Sequence, residues 1–107
     1  MLFRSLVQEP RELRAGDGWR ELVLGELPEL FFAVRRLDFD AGVGDETGDR
    51  FHLLNLVEGE TVEVETVSGR RHPLSYGETL VMPAAAGAYR LTNTGECPCK
   101  VVKAFVK

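Results

Sequence analysis

Cysteine is nearly absent: Cys97 and Cys99 are the only two in 107 residues, and the single Pro98 between them leaves them too close for an unstrained mutual bridge. No disulfide framework is implied. With no second Cys or His pair at finger spacing, a structural zinc site is not expected either. Long apolar runs are also missing. None approaches the roughly 18 residues that a membrane-crossing helix needs, and Met1 to Pro10 holds no signal-peptide core. The expected location is cytoplasmic, with no membrane partner. Lysine is scarce, with none before Lys100, and 13 Lys plus Arg against 17 Asp plus Glu leave a formal charge of -4. A phosphate backbone would find no long basic stripe, so nucleic acid is not an expected partner. The two histidines, His52 and His72, have no Ser or Cys placed to be activated by them. No catalytic residue is assigned on that ground.

What the chain does have is 44% hydrophobic and 28% charged residues, the composition of one globular domain able to bury its own core. Eleven glycines and five prolines punctuate short apolar runs, and no repeat of solenoid or propeller period is visible. Residues 1–19 read as an N-terminal arm with at most a helical turn over Gln8 to Leu13. Strands are then expected at Arg20–Leu24, Leu30–Phe39, Phe51–Val57, Thr61–Val67, Arg71–Ser75, Thr79–Met82, Tyr89–Thr92 and Lys100–Val106, with Asp40–Arg50 as a loop. Val62 and Val64 alternate with Glu63 and Glu65, so one face of that strand is wet. Strands at such short intervals with turns between them imply an all-β chain, a single domain whose residues 20–107 form a small antiparallel jelly-roll barrel.

Two stretches carry a resemblance. Phe51-His52-Leu53-Leu54-Asn55-Leu56-Val57-Glu58-Gly59-Glu60 is similar to the end of the first motif of the cupin family, with His52 standing where that family has an acidic ligand. Gly77-Glu78-Thr79-Leu80-Val81-Met82-Pro83 is similar to the second motif, a Gly with Pro six positions on. Within the cupins the chain resembles the C-terminal domain of type I mannose-6-phosphate isomerase, through Phe32-Ala33-Val34-Arg35-Arg36-Leu37, the Phe51–Glu60 block and Gly77–Tyr89. The resemblance implies the RmlC-like jelly roll. It also implies either a non-catalytic assembly or sugar-binding module, or, as the alternative, a zinc-dependent aldose-ketose isomerase or a piece of one. The implied partners are a sugar or sugar phosphate and a second copy of the chain or a catalytic isomerase domain.

The metal chemistry is testable by position. A metal-bearing cupin has a His-x-His pair shortly before the acidic ligand and another His after the Pro; here Asp45-Glu46-Thr47-Gly48 precedes His52, and Tyr89 takes the later position, with Asn93 at the family's asparagine. A single imidazole does not hold zinc or iron, which takes about three protein ligands. No metal ligand and no cofactor are therefore expected, zinc belonging only to the isomerase alternative. The candidate ligand-binding residues are His52, Tyr89, Arg36 and Asn93. Strand alternation turns His52, Leu54 and Leu56 inward, and a His on an apolar face is more often a hydrogen-bonded core residue than a ligand. Arg35 and Arg36 face opposite sides of their strand. Arg36, sharing parity with Phe32 and Val34, is expected inside, held by Asp38, Glu46 or a sugar phosphate. His72, in a hairpin beside Arg70 and Arg71, is expected to be a solvated turn residue, the alternative being that the trio holds a phosphate, and Asp45, Glu46 and Asp49 do not follow a calcium-loop spacing.

Overall fold

The structure, a computed structural model, describes residues 11–25 and 31–106. Among the described residues ten strands follow in order: β1 (Arg11–Gly16), β2 (Trp19–Gly25), β3 (Phe32–Phe39), β4 (Gly42–Glu46), β5 (His52–Glu58), β6 (Thr61–Thr66), β7 (Arg71–Ser75), β8 (Thr79–Met82), β9 (Ala88–Asn93) and β10 (Cys99–Val106), with a 3-10 turn over Ala84–Ala86. They form a six-stranded sheet ordered β1-β2-β3-β10-β5-β8 and a four-stranded sheet ordered β4-β9-β6-β7, every pairing antiparallel. No helix of the described residues is long and apolar enough to cross a membrane.

The two sheets face each other over a core that alternation selects. Leu37 and Phe39 of β3, Leu54 and Leu56 of β5, and Val62 and Val64 of β6 are buried, each pair two residues apart and therefore on one face, and Leu91 of β9 and Val101 of β10 pack with them. Burying a side chain of this size contributes about 1.5–3 kcal/mol, and Val43, Leu74, Met82, Tyr89 and Cys99 complete the same cluster. One end of the barrel closes around Gly59. A Cβ there would lie 2.8 Å from the Cys99 sulfur, and the residue sits at φ +116°, so only glycine lets β10 start beside the β5–β6 turn.

Three expectations change. Residues 11–16 do not form an arm or a helical turn but β1, an edge strand paired with β2; Gln8 to Pro10, like Leu30, lies outside the described residues. The glycine-rich stretch 40–50 is not all loop, since Gly42–Glu46 forms β4 on β9. Its alternation is real but sparse: Val43 is buried, and Asp45 and Thr47 share its inward side. Arg36 does not face the interior. Ala33, Leu37 and Phe39 fix the inward parity of β3, which places Arg35 inside and Arg36 outside, where Arg36 Nε donates to Asp38 Oδ1 at 2.7 Å and Nη2 to Oδ2 at 3.1 Å.

Candidate functional site

At one end of the barrel the inward positions of β2, β3, β4, β5, β9 and β10 are charged or polar, and Arg14 of β1 joins them. Glu21 lies on β2 between Trp19 and Val23, and a register shift in β1 between Glu12 and Arg14 brings Arg14 directly opposite it. Lys103 lies on β10 between Val101 and Phe105, opposite Arg35 of β3. Asp45 of β4 lies opposite Tyr89 of β9 in the other sheet.

These side chains close a ring across the barrel. Lys103 Nζ donates to Glu21 Oε2 at 2.7 Å and to Asp45 Oδ2 at 2.6 Å. Arg14 Nε donates to Glu21 Oε1, and Arg14 Nη2 donates to Asp45 Oδ1 at 3.0 Å. Two carboxylates and two cations thus alternate, and each carboxylate oxygen meets one cation. Lys103, Glu21 and Asp45 are almost wholly buried, whereas the Arg14 side chain is 44% exposed and forms the outer wall. Such groups stay ionised inside a protein only when paired in this way. Burial pushes both carboxyl groups up, but the hydrogen bonds and charges of Lys103 and Arg14 outweigh it and hold Glu21 and Asp45 below the ordinary carboxylate range.

His52 and Tyr89 extend the ring into the core. The Tyr89 hydroxyl is hydrogen-bonded to His52 Nδ1 at 2.9 Å and donates to Asp45 Oδ2 at 3.1 Å, joining the two sheets through three side chains. Burial, then the nearby Lys103 charge, lowers the His52 pKa, so the imidazole is neutral at pH 7. Burial and the Asp45 carboxylate raise the Tyr89 pKa, which keeps the phenol protonated. Packing fixes the imidazole, with the Tyr89 ring 5.9 Å away edge-on and the Phe105 ring 5.3 Å away.

In front of this network opens a cavity of about 400 Å³, floored by Lys103 and His52 and walled by Arg14, Arg35, Arg50 and Phe105. Its rim is pre-formed. Buried Thr47 donates through Oγ1 to Ala84 O at 2.7 Å and accepts from Gly87 N at 3.2 Å, and its own amide reaches Gly87 O at 3.0 Å, tying the β4–β5 connection to the turn before β9.

The structure brings together only part of the expected set. His52 and Tyr89 meet, with His52 on the cavity wall and Tyr89 behind it. Arg36 is on the outer face, and Arg35 takes the place expected for it. Asn93 lies at the other end of β9, where Nδ2 donates to Asp40 O and Cys97 O and Oδ1 accepts from Gly95 N, fixing the turn that leads to β10. Cys97 is exposed and Cys99 buried, both as free thiols. Glu21, Asp45, Lys103 and Arg14 were not expected at the site. Their signal is a charged residue on the inward parity of an apolar strand, visible in Trp19-Arg20-Glu21-Leu22-Val23 and in Val101-Val102-Lys103-Ala104-Phe105 only once parity is known.

Comparison with solved structures decides the fold. A cupin-2 domain from Rhodospirillum rubrum superposes with TM-score 0.73 at 10% identity, covering 91% of this chain and 69% of that one. An RmlC-like cupin from Shewanella frigidimarina gives 0.66 at 18%, covering 92% and 82%. The fold is a cupin barrel. A cupin-superfamily sugar phosphate isomerase from Silicibacter pomeroyi gives 0.68 at 16%, covering 97% and 73%. No family model matches the sequence, and no curated protein matches it. At such identities the cupin likeness is one of fold, and chemistry has to be argued from the side chains.

A metal fits this barrel poorly. Among the described residues no three His, Cys, Asp or Glu side chains converge as a metal-ligand group. The two carboxylates that lie nearest His52 already satisfy Lys103 and Arg14. A divalent ion placed between them would first have to displace the ammonium.

Proposed function

We propose that the chain is a cytoplasmic, metal-free cupin module, related in kind to the C-terminal domain of mannose-6-phosphate isomerases. Its barrel mouth takes a small polar molecule such as a sugar or sugar phosphate, and it works as a homodimer or docked to a catalytic isomerase domain. The observation that carries this reading is the position of Lys103, whose ammonium spans Glu21 and Asp45 beside His52 and, together with Arg14, balances them without a metal. The open cavity before it has the size of a small-ligand site and a rim already tied down by Thr47.

The assembly part of the proposal draws on the outer face of the six-stranded sheet. Register aligns Val34, Ala104, Leu53 and Val81 in one row across four strands, with Phe32 beside Val106 next to it. Phe32, Leu53, Val81 and Val106 are exposed there, an apolar surface suited to a second copy.

A zinc-dependent mannose-6-phosphate isomerase is the second reading, of which the Silicibacter pomeroyi structure, a sugar phosphate isomerase, supports only the broader class. It needs metal ligands that the ring does not offer. Titration of the full chain with mannose 6-phosphate, with zinc supplied, separates the two: calorimetry reports binding, and a coupled assay reports fructose 6-phosphate. Saturable binding without turnover is the expected result. Turnover that rises with zinc would overturn the metal-free reading.

A further inference from the structure

The midline of the six-stranded sheet falls between β3 and β10, with three strands on either side. On its outer face one row of aligned residues crosses four strands as Arg20, Asp38, Lys100 and Glu58, so the charges run plus, minus, plus, minus about that midline. Neighbours in the row pair within the chain: Arg20 Nε lies 3.2 Å from Asp38 Oδ2, and Lys100 Nζ lies 3.5 Å from Glu58 Oε2. The two ends of the row stay open to solvent, the Arg20 side chain being 50% exposed and that of Glu58 59%. Further along the same strands the face turns apolar, with Val34 beside Ala104 and Phe32 beside Val106 flanking the same midline.

An even row of alternating charges is complementary to itself in one orientation. Turned over about a two-fold axis that runs along the strands at the midline, each cation comes to lie over an anion; turned about an axis along the row, each charge would meet its own kind. The first rotation also sets β3 on β10, β2 on β5 and β1 on β8, and lays Val34 over Ala104 and Phe32 over Val106. Strand directions stay aligned, as in two sheets packed face to face. Six strands of up to eight residues present a face of roughly 700 Å², near the ~800 Å² per partner that a stable interface buries. We infer that this face is a two-fold interface between two copies of the chain, with Arg20 of one copy over Glu58 of the other and Asp38 over Lys100. This rests on the homodimer reading above and adds the symmetry axis and the contacts that set it. The interface is isologous, each copy offering the same patch. Exposed ion pairs contribute little affinity singly, so the apolar half supplies the adhesion and the charged row fixes the orientation.

Within one chain Arg20 and Glu58 lie three strand spacings apart, about 14 Å, farther than the screening length of ~8 Å at physiological salt. Changes at the two positions can therefore compensate one another only across copies. Sedimentation equilibrium is measured on the full chain, on Arg20→Glu, on Glu58→Arg, and on the two variants mixed in equal amounts. The unaltered chain is expected to sediment as a dimer. Each variant alone sets like charges over each other twice per dimer, and is expected to weaken self-association about tenfold or more. The mixture is expected to recover most of the lost affinity as a heterodimer, which also shows that both variants are folded. A dimer that neither variant weakens, or a mixture that associates no better than either variant alone, would overturn this axis while leaving a homodimer built on another surface. An unaltered chain that sediments as a monomer at every concentration would overturn the homodimer as well.

Discussion

Replacing Lys103 by methionine keeps an unbranched side chain one atom shorter and removes its charge. In the folded protein Lys103 Nζ contacts Glu21 at 2.7 Å and Asp45 at 2.6 Å, with all three groups nearly excluded from water. Without it the two carboxylates share Arg14 alone, and two of their oxygens lose their cation. Removing one partner of a buried ion pair costs about 3–5 kcal/mol, because the remaining charge stays desolvated. For a domain near 100 residues that amounts to a melting temperature lower by roughly 12–20 °C. The loss has a pH signature. Glu21 and Asp45 have folded-state pKa values below their ordinary range, so their stabilising contribution is present above about pH 4 and disappears as pH falls through the lowered values. In Lys103→Met both carboxyl groups protonate more readily, so the stability gap to the wild type narrows on acidification from pH 7 toward pH 4.5. Differential scanning calorimetry of both proteins across that range reads the effect. A loss under about 1 kcal/mol at pH 7, the size of a surface pair, or a gap that does not change with pH, would refute the ring as described.

Tyr89→Phe removes the hydroxyl that reaches His52 and Asp45, leaving buried His52 Nδ1 without that partner; a loss of about 1–3 kcal/mol is expected in urea unfolding, with the slope unchanged. His52 has a lowered pKa, so the native state binds fewer protons than the unfolded chain below about pH 6.5, and stability falls as pH drops through that value. An NMR titration of the His52 ring is expected to report a midpoint below the ordinary histidine value, and a midpoint at or above it would contradict the burial argument. Gly59→Ala, which drives a methyl onto Cys99 at a positive φ, is expected to cost about 1–3 kcal/mol in chemical denaturation.

Much of the fold is legible in the sequence because turns and alternation are local. Arg71–Ser75 and Thr79–Met82 have the bounds expected of them, and Val62 and Val64 are buried against half-exposed Glu63 and Glu65. The misses have physical causes. β1 is rich in charge and exposed at every position, so no apolar pattern marks it as a strand; only pairing with β2 makes it one. β4 has two glycines and a single buried valine. The site was harder to read because it is built on parity. In β3 and β10 both faces carry apolar residues, so Phe32 and Val34 compete with Leu37 and Phe39 as markers of the inside, and the wrong choice exchanges Arg36 for Arg35. Once the inward face is known, Lys103 and Glu21 stand out as charges among Val101, Phe105, Trp19 and Val23. Their pairing over the intervening β3, and the reach of Lys103 to Asp45 of the other sheet, are long-range facts that no local window contains.

The central claim is that the Lys103 ammonium and the Arg14 guanidinium, rather than a metal, neutralise the carboxylates inside this barrel. The direct measurement is the metal-to-protein ratio by elemental mass spectrometry, on untagged protein produced with zinc and iron supplied and washed free of loosely held ions. A ratio near zero is predicted, because Glu21 and Asp45 are satisfied by Lys103 and Arg14. A ratio near one, retained after washing and lost in Glu21→Gln or Asp45→Asn, would mean that the ring opens to accept a metal and would contradict the claim.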